Sequence, residues 1–181
     1  MNTQDRVQME TRISSLIADL HEGDGLKRQK ARNSLIYLGR EAAPALIEVV
    51  EKERGPARWE AIEALVTIGD PDAADILVDT LRDEDVGIRW AAANALIKLN
   101  RAAVEPLLKA LTKYFDSIWL REAAHHILHS LKDRGLLYPE EIKVFEATRG
   151  IEPLVEIPWT AQAALENLKN KKRANKDIAQ H

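Results

Sequence analysis

Apolar positions along this chain recur with a period of 3.6 residues rather than 2, and the β-branched residues are scattered, so the pattern predicts helices and no strands. A longer period is laid over the first. Arg28-Gln29-Lys30-Ala31-Arg32-Asn33-Ser34-Leu35 is matched by Arg58-Trp59-Glu60-Ala61-Ile62-Glu63-Ala64-Leu65. It is matched again by Arg89-Trp90-Ala91-Ala92-Ala93-Asn94-Ala95-Leu96 and by Arg121-Glu122-Ala123-Ala124-His125-His126-Ile127-Leu128. The closing leucines, Leu35, Leu65, Leu96 and Leu128, are spaced by 30, 31 and 32 residues. A fixed period near thirty marks a solenoid, whose units cannot bury their apolar faces alone and must stack on one another.

Each unit reads as two antiparallel helices. Leu38-Gly39 ends one helix and Pro44 stands in the first turn of the next. In Ile68-Gly69-Asp70-Pro71 the glycine caps, the aspartate serves as N-cap, and the proline takes a first-turn position that needs no N–H. Leu99-Asn100 repeats the stop with Asn in place of Gly. The expectation is an N-terminal helix over 5–20, helix pairs to 131, a helix over 139–148, and another from Trp159 or Thr160 to about 169. Between these last two, residues 150–158 are expected to be extended, because Pro153 and Pro158 disfavour helix in the residues before them. The domain reading is a solenoid over 1–131, a C-terminal cap over 132–168 carried by Ile151, Leu154, Val155, Ile157 and Trp159, and a frayed basic tail over 169–181. The fold class is an all-α right-handed solenoid of about four pairs.

Composition narrows the chemistry. There is no cysteine, which excludes disulfides, thiol nucleophiles and soft metal sites and fits a cytoplasmic protein. No apolar run approaches the roughly 20 residues a bilayer span needs, and the polar start is not a signal peptide. The net charge of −3 conceals a +4 tail from Lys169 onward against a −7 body, and an acidic body argues against a nucleic-acid partner. The eight glycines are dispersed as caps and turns, so there is no phosphate loop. No Ser or Thr stands in a nucleophile motif. His125, His126 and His129 are the densest titratable cluster, and His125 and His129 have metal-ligand spacing. No Cys, Asp or Glu in register completes a site, so they read as packed histidines, with no metal and no cofactor.

With Arg, Ala and Leu in this frame, residues 13–131 resemble HEAT repeats, in the short bacterial form found in phycobilisome-lyase-like proteins. The resemblance implies an Asp–Arg ladder along the core. Asp83 precedes Arg89 by six residues and Glu22 precedes Arg28 likewise, whereas Lys52 and Phe115 stand at the other two places. Arg28, Arg58, Arg89 and Arg121, with Asp83, are therefore expected to knit repeats together. Members of the family attach or detach bilin chromophores, repair alkylated DNA, hydroxylate a lysine derivative at a di-iron centre, or bind proteins. The hydroxylase's His-Glu pairs would fall at Gln29-Lys30, Trp59-Glu60, Trp90-Ala91 and Glu122-Ala123, so that activity is excluded.

In HEAT arrays the second helix of each pair lines the concave wall. The face opposite the Ala-Leu stripe carries Asn33 and Tyr37, then Trp59 and Glu63, then Trp90, Asn94 and Lys98, then His126. Trp is the residue most enriched at binding hot spots, which makes these eight the candidate partner-binding residues. No catalytic constellation emerges. The sequence is thus read as a non-enzymatic module holding a protein or peptide in its groove. A bilin lyase or chromophore-handling factor is the first alternative, and a HEAT-like nucleic-acid binder the second.

Overall fold

A computed structural model describes residues 3–178, and every regular element among them is helical. The helices are α1 (Thr3–Asp19), α2 (Gly25–Leu38), α3 (Ala43–Lys52), α4 (Pro56–Ile68), α5 (Ala74–Thr80), α6 (Val86–Leu99), α7 (Val104–Lys113), α8 (Ile118–Asp133), α9 (Pro139–Ala147) and α10 (Pro153–Ile178). The starts follow from local chemistry. Asp24, Asp85 and Ser117 accept hydrogen bonds from the Leu26, Gly87 and Leu120 N–H groups, satisfying donors that the first turn would orphan. The stops use positive φ: Gly69 is left-handed at φ 69°, and Asn100 reaches φ 56° as the one such non-glycine among the described residues.

Stacking produces two layers. α2, α4, α6 and α8 pack side by side, while α1, α3, α5 and α7 form the layer behind them. The anchors Leu35, Leu65, Leu96 and Leu128 are fully buried between the layers, each worth about 1.5–3 kcal/mol against exposure. The small Ala31, Ala61, Ala92 and Ala124, also buried, let the second helices approach closely.

The arginines act in two ways. Arg28, Arg89 and Arg121 each turn Nη1 back onto the two carbonyls six and five residues earlier, at 2.8–3.1 Å. The acceptor is backbone, so Phe115 serves as well as Glu22 or Asp83, and an acid at that place is not required. This corrects the expected acid–Arg pairing within a unit. Arg58 differs because the three-residue Glu53-Arg54-Gly55 turn, shorter than the four- and five-residue turns before the other second helices, carries it elsewhere. Its Nε donates to the Val50 carbonyl at 2.9 Å, and its Nη1 binds the Asp83 carboxylate of the following unit. Glu60 reaches the other way, to Arg32 at 2.6 Å in the preceding unit.

The C-terminal region departs from expectation. Residues 153–158 are the first turns of α10, not an extended strap. Pro153 is harmless at the first helical position, and Pro158 forfeits only a bond to the carbonyl of the half-exposed Leu154, while the fully buried Ile157 anchors the turn. Of the five side chains expected to cap the array, Ile157 alone is in the core; Ile151, Leu154, Val155 and Trp159 are exposed. The buried contacts come from Val144, Ala147, Ala161, Ala164, Leu165 and Leu168 instead. Helix also continues over 169–178, where a frayed tail was expected, with Lys172 reaching Glu105; residues 179–181 lie outside the described part. The last pair is wound in the opposite order to the others. α9 packs beside α8, a second-layer helix, and α10 lies on α7, a first-layer one. The fully buried Glu141 fixes that arrangement: it takes a bidentate pair from Arg101 and the Tyr138 N–H at 2.8 Å.

Candidate functional site in the second-helix layer

The solvent face of α6 and α8 holds a cleft of about 210 Å³, lined by Val86, Arg89, Trp90, Ala93, Trp119, Glu122, Ala123 and His126. Its depth comes from small residues. Ala93 is buried and Ala123 half-buried, where larger side chains would close the floor. One wall is Trp90, whose indole lies on the His126 imidazole with centroids 5.0 Å apart and planes inclined by 24°. The other is Trp119, covered by the Arg89 guanidinium 4.6 Å from its ring centroid. Arg89 is itself fixed by the Asp83 and Glu84 carbonyls, so the arginine that ties the turn also positions this indole. Two aromatic walls, an alanine floor and a Glu122 carboxylate at the rim suit a flat, conjugated ring.

The structure does not gather the eight sequence-derived residues into one site. Trp90 and His126 share the cleft. Trp59 does not: its Cζ3 lies 3.6 Å from where a Cβ on Gly87 would stand, and it lines a separate hollow of about 700 Å³ with Arg54, Arg58, Arg82 and Asp83. Asn33, Tyr37 and Lys98 are exposed, and Glu63 and Asn94 half-buried, with none of them lining either hollow. In the larger hollow, partial burial works against charge on Asp83. The Asp85 N–H and the Arg58 guanidinium outweigh it and hold the carboxyl below the usual carboxylate range.

Sequence reasoning missed Trp119. It stands two residues before Arg121, in register with Leu26, Pro56 and Gly87, outside the run that begins at each arginine. The available signal was the bulky Ile118-Trp119 pair directly after the Ser117 cap, both exposed. The histidine cluster is divided among different jobs. His125 stacks on Phe145 at 4.9 Å and its Nδ1 lies 2.8 Å from Thr148 Oγ1, while His129 pairs with Asp133 at 3.2 Å. The Thr148 hydroxyl gives its proton to the Phe145 carbonyl, so His125 Nδ1–H is the donor in that contact. Burial first, then the neighbouring Arg149, His129 and His126, push the His125 pKa down. Among the described residues no three His, Asp or Glu side chains converge as a metal site, and no helix is long and apolar enough to cross a membrane.

Known proteins resemble the chain over most of its length. A HEAT-repeat family model matches residues 13–97, and a PBS lyase HEAT-like repeat model matches 88–113. A phycobilisome maturation protein of Synechococcus elongatus is 26% identical over 167 residues, covering 88% of this chain and 80% of the relative. Among solved structures, the complex of CpcE and CpcF of phycocyanin lyase from Nostoc sp. PCC7120 contains a chain 25% identical to this one. The match has a TM-score of 0.54 and covers 85% of this chain and 98% of that one. These relatives correct the expectation of a non-enzymatic binding module, since they are named for phycobilisome maturation and phycocyanin lyase. They favour the chromophore-handling alternative.

Proposed function

The chain is a HEAT-repeat protein of the PBS lyase HEAT-like type, and from that premise we propose that it is a phycobilisome maturation factor of the bilin-lyase class. In this reading it brings an open-chain tetrapyrrole and a phycobiliprotein acceptor together for attachment or removal of the chromophore, in the cytoplasm. The observation that carries the reading is the match to a phycobilisome maturation protein along nearly the whole chain, rather than over a repeat or two. The two-chain assembly of the similar phycocyanin lyase supports a protein partner.

The aromatic cleft supplies a place for the chromophore. One pyrrole ring lies between the Trp90 and Trp119 walls over Ala93, with Glu122 at the rim within reach of a pyrrole N–H. A cleft of about 210 Å³ cannot enclose a whole tetrapyrrole, so the remainder stays outside, accessible to an acceptor. With no cysteine in the chain, there is no thiol here to form a thioether, and the chromophore is held non-covalently, by ring contacts and the Glu122 carboxylate.

The test is to produce a phycobiliprotein subunit in cells that make bilin, with and without this chain, and measure fluorescence of covalently bound chromophore on the denatured subunit. The expected result is a change in covalent chromophore that depends on the chain. Equal chromophore content in both cultures contradicts the reading.

A further inference from the structure

The hollow of about 700 Å³ beside Trp59 adjoins the aromatic cleft along the array. Arg89, which walls the cleft, donates to the Asp83 and Glu84 carbonyls at 2.8 and 3.0 Å, and both of those residues line the hollow. Val86 borders the cleft, and Ile88, two residues on, borders the hollow. The two depressions therefore flank the first turn of α6, separated by roughly the 8–10 Å between packed helices.

Three arginines, Arg54, Arg58 and Arg82, and three acids, Asp83, Glu84 and Asp85, line the hollow, so its formal charges cancel. Its hydrogen-bonding capacity does not cancel. Asp83 accepts from Arg58 Nη1 and from the Asp85 N–H, and Asp85 Oδ1 caps α6 through the Gly87 and Ile88 N–H groups. Each guanidinium, by contrast, keeps donors in hand. The Arg58 side chain is only 8% exposed, yet its Nη2 donates to nothing among the described residues. Arg82 spends Nη2 on Asp79 at 3.2 Å, and its buried Nε has no acceptor. Its guanidinium lies 3.6 Å over the Tyr114 ring, a stack that fixes the plane and leaves the edge N–H groups available. Arg54 spends only Nη1, on the Glu53 carbonyl at 2.9 Å. Such donors suit a carboxylate, whose two oxygens take paired N–H bonds. A cationic ligand would meet only exposed Glu84 and the outer Asp85 oxygen.

We propose that this hollow is a carboxylate site, in which Arg54 and Arg82 hold a propionate arm of the tetrapyrrole whose pyrrole ring occupies the cleft. The proposal rests on the chromophore-handling reading and adds to it. A biliverdin-type tetrapyrrole carries its two propionates on the inner rings, so a ring seated between Trp90 and Trp119 sends an acidic arm toward the neighbouring seam. Gripped at a ring and at an arm, the chromophore is fixed in direction along the second-helix layer, where ring contacts alone would let it turn end for end.

The test compares biliverdin with its dimethyl ester, which has the same rings and no carboxylate. Each is titrated into the full chain, and into an Arg54→Gln/Arg82→Gln variant, following quenching of indole fluorescence. The wild-type chain should bind the diacid about tenfold more tightly than the diester. The double variant should lose that preference by weakening for the diacid while its affinity for the diester stays the same. Arg54→Gln alone, on an exposed turn, should shrink the preference with an unchanged thermal midpoint. Equal binding of diacid and diester by the wild-type chain overturns the carboxylate site and leaves the chromophore reading standing. So does a variant that weakens for both alike. Binding of neither compound contradicts the chromophore reading itself, and the carboxylate site falls with it.

Discussion

The indole of Trp90 and the imidazole of His126 lie stacked across the seam between the third and fourth repeats, with ring centroids 5.0 Å apart. One face of the indole is thereby occupied by the imidazole. Such a stack is worth about 0.5–1.5 kcal/mol beyond area burial. Trp90→Ala and His126→Ala should therefore reduce chromophore handling strongly while lowering stability by no more than about that amount. Trp59→Ala should leave chromophore handling intact, because Trp59 belongs to the neighbouring hollow and packs over Gly87. Parallel measurement of chromophore yield and thermal midpoint for the three variants checks this division.

The repeat arginines are not equivalent. Arg58→Ala strips a buried guanidinium from both the Val50 carbonyl and the Asp83 carboxylate, and breaking such a buried pair costs about 3–5 kcal/mol. Arg89→Ala loses two carbonyl contacts and uncovers Trp119, for about 1.5–3 kcal/mol. Denaturant midpoints should rank Arg58→Ala below Arg89→Ala, and both below wild type. An unchanged midpoint for Arg89→Ala would contradict the role given to its contacts.

Stability should fall with acid in two stages. The His125 pKa is pushed down in the folded chain, so the neutral ring's contribution is present above about pH 6.5 and is lost as pH falls through the lowered folded value. Asp83 is also held below its ordinary value, so its contribution persists above about pH 4 and disappears below that. Midpoints measured between about pH 8 and 3 should show both steps. His125→Asn should remove the first and Asp83→Asn the second.

The α9–α10 pair should be integral to the fold. Glu141→Ala leaves Arg101 without its bidentate partner and the Tyr138 N–H without its acceptor, a loss of about 3–5 kcal/mol. Truncation after Lys132 uncovers the flank of α7 on which α10 lies. The shortened chain should aggregate or melt early, and a soluble monomer of wild-type stability would refute the cap.

The repeat architecture was legible because it rests on short-range rules: Gly69 and Asn100 at stops, Asp70 and Pro71 at a start, and leucines every thirty residues. The C-terminal pair was legible only in part: α9 lies where Pro139 placed a helix, but the start of α10 was not foreseen. The local bias before Pro153 and Pro158 argued for extended chain, and the tertiary anchor at Ile157 overrode it. Nothing local reveals that Ile157 is buried while Trp159, two residues on, points to water. The candidate cleft was half legible. Trp90 and His126 fall in register on one face, but Trp119 belongs to a helix start, and its approach to Trp90 follows from how α8 stacks on α6. The expected companionship of Trp59 and Trp90 failed because equivalent positions sit a full repeat apart, each facing its own seam.

In the proposed reading, this chain handles an open-chain tetrapyrrole at the Trp90–Trp119 cleft. Its most direct test is titration of the purified chain with biliverdin, following induced circular dichroism in the visible band together with quenching of indole fluorescence. The expected result is a saturable one-to-one signal that disappears in the Trp90→Ala/Trp119→Ala double variant while that variant retains its helical content. No induced signal, or one undiminished in the double variant, would contradict it.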